Sequence, residues 1–354
     1  MDLTPVKIGI IGAGGVARGV HIPALRRIDG VEIAGIAREH KSEPVDGIPV
    51  TKHYQDLLAR ADIGAIINTT PNHLHRQITL DALAAGKHVL CEKPLGLNHG
   101  ETLEMLAAAE KSGLVHMTAF TFRYAPGVQY LKHLIETGAL GQIRSVRAAY
   151  LMALSEHLTG WRSQRPLAGS GALADIGSHA IHIAQFLAGQ IAAVSAAGRS
   201  FYSDVDDWIG FLAQFACGAM ATFEISRAAP GRGDEITENM FIEIYGTRGG
   251  AAFSMQDPWA LMLCIGERAR DAAANLERTP APQEFLKLPG SPRDIHADDP
   301  RWGYRYDQDF QFVDSIRQRE VREPSFRAGA ECQAVLDAVL KSCEDGRWTP
   351  VAAP

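Results

Sequence analysis

What the chain lacks narrows its function first. Its five cysteines, Cys91, Cys217, Cys264, Cys332 and Cys343, are odd in number, scattered and free of any CxxC pair. That excludes a disulfide framework or a zinc cage and fits a reduced compartment. No Lys/Arg block interrupts the chain, and 35 basic against 41 acidic side chains leave a net charge of -6, so a nucleic-acid partner is disfavoured. The start, Met1-Asp2-Leu3-Thr4-Pro5, has no basic region, and the first apolar run is broken by glycines and by Arg18 well short of a membrane-spanning length. No membrane association is expected, and a cytoplasmic location is. Aromatic residues are only 7%, which gives little support to a cleft shaped for flat aromatic ligands. What remains is 354 residues, 46% hydrophobic and 21% charged, the proportions of one or two globular domains.

The first third alternates short apolar runs with amphipathic stretches, the pattern of a parallel sheet with crossover helices. Strands are predicted at Val6 to Ile11, Val31 to Ala37, Ala65 to Thr70, His88 to Cys91 and Leu114 to Phe120, with helices at Tyr54 to Ala59, after Asn72 as N-cap, and at Glu101 to Lys111. After Arg123-Tyr124-Ala125-Pro126 the texture changes. Strand-like runs at Ile143 to Met152, Ala192 to Phe201, Trp208 to Phe215, Ala219 to Ile225, Phe241 to Tyr245 and Ala251 to Phe253 are joined by short glycine-bearing turns, which favours an antiparallel sheet. Helices are expected at Gly127 to Glu136, Ala172 to Leu187, Tyr306 to Arg317 and Ala328 to Cys343, with a surface loop at Ala272 to Pro300. The reading is an α/β chain: a doubly wound Rossmann domain over residues 1–124, then an α+β domain over 125–354 with a large, mostly antiparallel open sheet, whose last helix can pack back on the first domain.

Gly12-Ala13-Gly14-Gly15-Val16-Ala17 is a GxGxxA run placed directly after a strand and before a helix. Gly12 permits the tight turn, Gly14 lets the backbone approach a pyrophosphate, and small Ala17 lets helix and strand pack. The phosphates then lie at a helix N-terminus. An acidic residue after the second strand would bond the ribose hydroxyls, but this chain has Arg38 there, with Lys41 close behind and Glu39 between. A guanidinium suits a 2'-phosphate, so NAD(P) is the expected cofactor and NADP(H) is favoured over NAD(H).

The run Thr70-Pro71-Asn72-His73-Leu74-His75, then Ala84-Ala85-Gly86-Lys87-His88-Val89-Leu90-Cys91-Glu92-Lys93-Pro94-Leu95, and later Gly169-Ser170-Gly171-Ala172-Leu173-Ala174-Asp175-Ile176-Gly177-Ser178-His179, resembles the glucose-fructose oxidoreductase / inositol dehydrogenase / MocA family of NAD(P)-dependent sugar oxidoreductases. The resemblance runs from the first strand to Gly346-Arg347-Trp348. It implies hydride transfer between NAD(P) and a secondary carbinol of a sugar, inositol or related polyol. His179 matches the family's catalytic histidine, a group that titrates in the range proton transfer needs. Lys93 matches the lysine of Glu-Lys-Pro, whose ammonium would stabilise a developing alkoxide. Asp175, four residues before His179, shares its helix face and can bond a substrate hydroxyl or orient the other two.

Glu92 reads as a tie from the strand end to backbone donors at the edge of the cofactor site, and the family often has a cis bond before Pro94. Thr69, Thr70, Asn72 and His75 follow the third strand at the carboxyl edge of the sheet, where a dinucleotide passes. Arg123, Trp161 and Arg162 match places where relatives touch cofactor or substrate. His182 stands where the family commonly has an aspartate, which bears on the hydroxyl recognised. His179 with His182, and His73 with His75, lack a completing carboxylate or cysteine, so no metal is expected. By resemblance, one face of the second sheet forms a subunit interface, giving a homodimer or homotetramer. Two alternatives stay open: a glycosidase of the same superfamily that uses transient oxidation by held NAD, and a sensor that binds sugar or nucleotide without catalysis.

Overall fold

The apolar runs at the start of the chain are too continuous to leave one face in water, and the fold covers both faces. β1 (Val6–Ile11), β2 (Val31–Ala37), β3 (Val50–Thr51), β4 (Ala65–Asn68), β5 (His88–Cys91) and β6 (His116–Thr118) pair in parallel in the order β3-β2-β1-β4-β5-β6. The structure, a computed structural model, describes residues 5–39, 43–154, 158–230, 239–271, 275–296 and 300–353. Lys41, and residues 272–274 and 297–299 of the expected loop, lie outside the described residues. Progression along the sheet reverses between β1 and β4, the place where a doubly wound sheet opens its crevice. The crossovers carry α1 (Ile22–Leu25), α2 (Tyr54–Leu58), α3 (His75–Ala84) and α4 (His99–Ser112). α4 is bounded as its sequence dictates: the Asn98 side chain accepts from Glu101 N–H, and Gly113 ends the helix at φ +65. Ile66 and Val89 of the sheet pack against Met105 and Ala109 of α4 in one buried cluster.

Beyond residue 121 the chain builds a second unit. Its helices are α5 (Pro126–Glu136), the short α6 (Arg165–Ala168) and α7 (Ser178–Ala188). Its strands are β7 (Ile143–Leu151), β8 (Ile191–Arg199), β9 (Trp208–Phe215), β10 (Met220–Ser226), β11 (Met240–Gly246), β12 (Gly249–Ser254), β13 (Ala260–Ile265), β14 (Glu277–Pro280) and β15 (Thr349–Pro350). They form one nine-stranded sheet, β14-β13-β12-β11-β7-β10-β9-β8-β15. Each neighbouring pair is antiparallel except β7 with β10. α5 and α7 pack on one face. On the other, Leu212, Met220, Tyr245 and Met262 stay exposed, the alternation a half-covered sheet requires.

Two helices close the chain, α8 (Pro300–Gln318) and α9 (Phe326–Asp345). The first compact unit takes residues 1–121 and 290–330, the second 122–289 and 331–354. This corrects the division of the sequence at 124: residues 290–330, assigned to the second domain by position, belong with the first because α8 packs on α1 and the turn before it. Asn72 lies buried at the start of a 3₁₀ turn (Asn72–Leu74) that leads directly into α3. The predicted helix over 172–187 is also interrupted, its first turn being a π-turn, Leu173–Gly177, that leads into α7.

Candidate active site

In the first unit the glycine turn is built where theory of the fold puts it. Gly12 has φ +100, its N–H donates to Ala37 C=O (3.0 Å), and a Cβ there would lie 2.7 Å from the Thr69 carbonyl oxygen. No other residue can pass so close to the end of β4 in that conformation. At Gly14 and Gly15 an added Cβ would meet nothing within 4 Å, so the backbone between Gly12 and the following helix stands open, as a pyrophosphate cradle requires. Ala13 is half-buried, Val16 is exposed, and Ala17 is fully buried at the helix start. These residues fit a dinucleotide.

The rim of this turn is set by residues that mostly bond to protein. Thr69 N–H and hydroxyl both reach Ile11 C=O, at 2.8 and 3.3 Å. Asn68, fully buried at the end of β4, accepts from the Thr70 hydroxyl at 2.7 Å and donates to His75 C=O at 3.3 Å. Asn68 was missed by sequence reasoning; a polar side chain closing an otherwise apolar strand was its signal. His75 is fully buried, its ring nitrogens lie 2.9 Å from the Pro94 and Thr70 carbonyls, and burial holds it below its ordinary pKa. It fastens two loops to each other. Arg38 is half-buried, with its N–H bonded to Thr51 C=O at 2.9 Å.

Lys93 follows β5, and the Lys93–Pro94 bond is cis, as the resemblance implied. Its N–H donates to its neighbour Glu92 (3.2 Å), whose other oxygen lies 3.1 Å from His21 Nε2. Burial would raise the Glu92 pKa, but His21 and Lys93 outweigh it and hold the carboxylate below its usual range. Glu92 is thus tied to protein partners on both oxygens.

The second unit carries the other polar cluster. The residues before α7 donate three N–H bonds to one aspartate: Gly171 and Leu173 to the Asp206 carboxylate (2.6 and 2.8 Å), and Ala172 to its carbonyl (2.7 Å). A Cβ on Gly171 would stand 1.9 Å from that carbonyl oxygen. Asp175 projects from the π-turn with about a quarter of its side chain exposed, 3.6 Å from Arg227 Nη1. Arg227 is itself 1% exposed and lies 3.8 Å from Asp207. Asp206 and Arg227 were not anticipated, because their partners are distant in sequence. His179 is nearly buried, its ring stacked 4.2 Å from Phe122 at 21°. His182, one turn on, is buried and pushed well below its ordinary pKa by that burial and by the charge of Arg123. Arg123 lies 3.9 Å over the Phe186 ring, and Arg162 lies 4.3 Å over Trp161 in a separate 3₁₀ turn (Gly160–Ser163).

A Rossmann half with an open glycine turn, followed by a half that presents a histidine and a carboxylate on one helix, defines a nicotinamide-dependent oxidoreductase. Residues 6–120 match the model of an oxidoreductase family with an NAD-binding Rossmann fold, and residues 128–252 match the GFO/IDH/MocA C-terminal domain. A levoglucosan dehydrogenase of Pseudarthrobacter phenanthrenivorans is 30% identical over 338 residues, 85% of this chain and 83% of that protein. A 1,5-anhydro-D-fructose reductase of Ensifer adhaerens is 31% identical over 68% of this chain and 73% of its own length. The solved structure of a levoglucosan dehydrogenase with NADH and L-sorbose superposes with a TM-score of 0.89 at 28% identity, covering 99% of this chain and 100% of that one. The chain belongs to the GFO/IDH/MocA family of oxidoreductases.

Proposed function

We propose that this oxidoreductase moves hydride between NAD(P) and a secondary carbinol of a sugar or related polyol, with Lys93, Asp175 and His179 as its working set. The observation that carries the reading is the sequence of Asp175 and His179 along one helix start, the carboxylate anchored by Arg227 and the imidazole by Phe122. Bound nicotinamide supplies the hydride acceptor at carbon. The imidazole of His179 takes the proton from the hydroxyl being oxidised, and returns it in reduction. Lys93 Nζ donates to the same oxygen and favours its anionic form. Asp175 accepts from a neighbouring hydroxyl and fixes the sugar's orientation, a carboxylate being acceptor-only when ionised. His182 and Arg123 add hydrogen-bonding groups for a hydroxyl-rich ligand.

The relatives named for anhydro-sugars put levoglucosan and anhydro-fructose at the head of a substrate panel that also holds monosaccharides and inositols. For the cofactor, Arg38 supports NADP(H), whereas the solved levoglucosan dehydrogenase holds NADH. Reduced-nicotinamide absorbance, followed with each sugar and each cofactor, tests both points. Turnover with at least one sugar is expected, and Arg38→Asp is expected to shift preference toward NAD. Silence across the panel, with no dinucleotide bound, would sink the reading; an Arg38 variant with unchanged preference would remove only the phosphate assignment.

A further inference from the structure

We propose that His21 is a positioning residue for the reaction, holding the strand end that carries Lys93 in register with the glycine turn through Asp309 and Glu92. The proposal rests on the reading of Lys93 as the group that meets the reacting oxygen. His21 closes the π-turn Ala17–His21, directly after the glycine run, so it belongs to the backbone on which the dinucleotide would lie. Its Nδ1 lies 2.9 and 3.1 Å from the two oxygens of Asp309 on α8, and its Nε2 lies 3.1 Å from Glu92 Oε1. The second oxygen of Glu92 accepts the Lys93 N–H at 3.2 Å. His21 and Asp309 are wholly buried, and the Glu92 side chain is 14% exposed.

The ring has a carboxylate at each nitrogen. A neutral imidazole offers one N–H, and only the cation offers two, so this arrangement is satisfied by an imidazolium. Burial would lower the pKa, but Asp309 and Glu92 outweigh it and raise it to about 10. A buried ion cluster is a poor source of net stability, since desolvation offsets most of the attraction. What it does supply is direction. The cation admits one ring orientation, and each oxygen of Glu92 then has a fixed partner, one on the dinucleotide helix and one on the Lys93 backbone. Three elements, the glycine helix, the end of β5 and α8, are held at one point just behind Lys93.

The expected result is a chemical defect without a binding defect. His21→Gln keeps a donor of similar reach but loses the second N–H and the charge. Turnover should fall by on the order of 10- to 10²-fold, the loss that follows when the supports of a reacting group are loosened. Affinity for reduced dinucleotide, read by its fluorescence, and the substrate KM should stay near wild type. Glu92→Gln, isosteric and still able to accept from Lys93 N–H, should lower turnover in the same way, and the double variant should be no worse than the poorer single one. In histidine-labelled wild type, nitrogen NMR at pH 8 should show an imidazolium signal that disappears in His21→Gln. Unchanged turnover in both variants overturns the proposal, as does a neutral His21 at pH 8. Loss of folded protein in both variants overturns it too, since the cluster would then be a folding element. The imidazolium signal needs no substrate, so its absence is distinguishable from a wild type that binds no dinucleotide.

Discussion

Asp175 owes its place to a cation from the end of β10. Arg227 is buried between Asp175 and Asp207, so the Asp175 carboxylate faces a cation that solvent cannot replace. On the function proposed above, this arrangement separates the roles, with Asp175 to orient and His179 to move the proton. His179→Asn should therefore retain dinucleotide binding in a fluorescence titration while turnover drops on the order of 10²- to 10⁴-fold; an unchanged rate would remove His179 from the chemistry. The residues at this scale that could be read from the sequence are those with a local signature. Gly12 announces itself by the strand before it, and Lys93 and His179 by the short motifs around them. Asp206, Asp309 and Arg227 have none. Asp206 meets Gly171 across 35 positions and Asp309 meets His21 across 288, and no pattern within a window of sequence encodes such a pairing.

The helix that carries Asp175 and His179 is the element on which most depends, and its start has no cap from its own chain segment. Asp206 takes that role from the loop before β9, receiving two N–H bonds on its carboxylate. Asp206→Ala should lower stability by about 2–4 kcal/mol, the sum of two bonds to a charged acceptor at a helix start, measured by denaturant unfolding. A change below the error of that experiment would mean that the backbone bond to Asp206 C=O suffices. At the scale of elements most strands were legible, because buried parallel strands and half-buried antiparallel ones differ in period. The exceptions have physical causes. β13, Ala-Leu-Met-Leu-Cys-Ile, is a short run without polar alternation, which periodicity cannot assign, and β14 is mostly exposed and ends at a proline. The parallel pairing of β7 with β10 was hidden too, since β8 and β9 intervene in sequence and then pair beyond it.

For the whole molecule, buried histidines of opposite tendency set the pH range of stability. His116 accepts Phe326 N–H on its Nδ1 at 3.1 Å, and burial pushes it to about 4 from an ordinary 6.5. Its contribution is complete above 6.5 and is lost as pH falls toward 4. His75 and His182, both also lowered, act in the same direction. His21, raised to about 10, contributes fully below 6.5 and loses that contribution as pH rises through 10. The melting temperature should peak near pH 6.5 and decline on both sides, with the alkaline decline absent from His21→Gln; a flat profile from acid to alkali would contradict the assignments. Among the described residues no helix is long and apolar enough to cross a membrane.

The division of the chain at 121, 289 and 330 has a consequence for how the gene can be cut or recombined. A fragment ending at 124 would keep His21 but not Asp309. It would also leave bare the edge of β6, where Thr118 N–H now donates to Pro324 C=O at 2.9 Å, and an uncovered strand edge invites other chains to add to it. Exchange of halves between relatives therefore needs three junctions, and the last of them falls inside the unbroken helix α9.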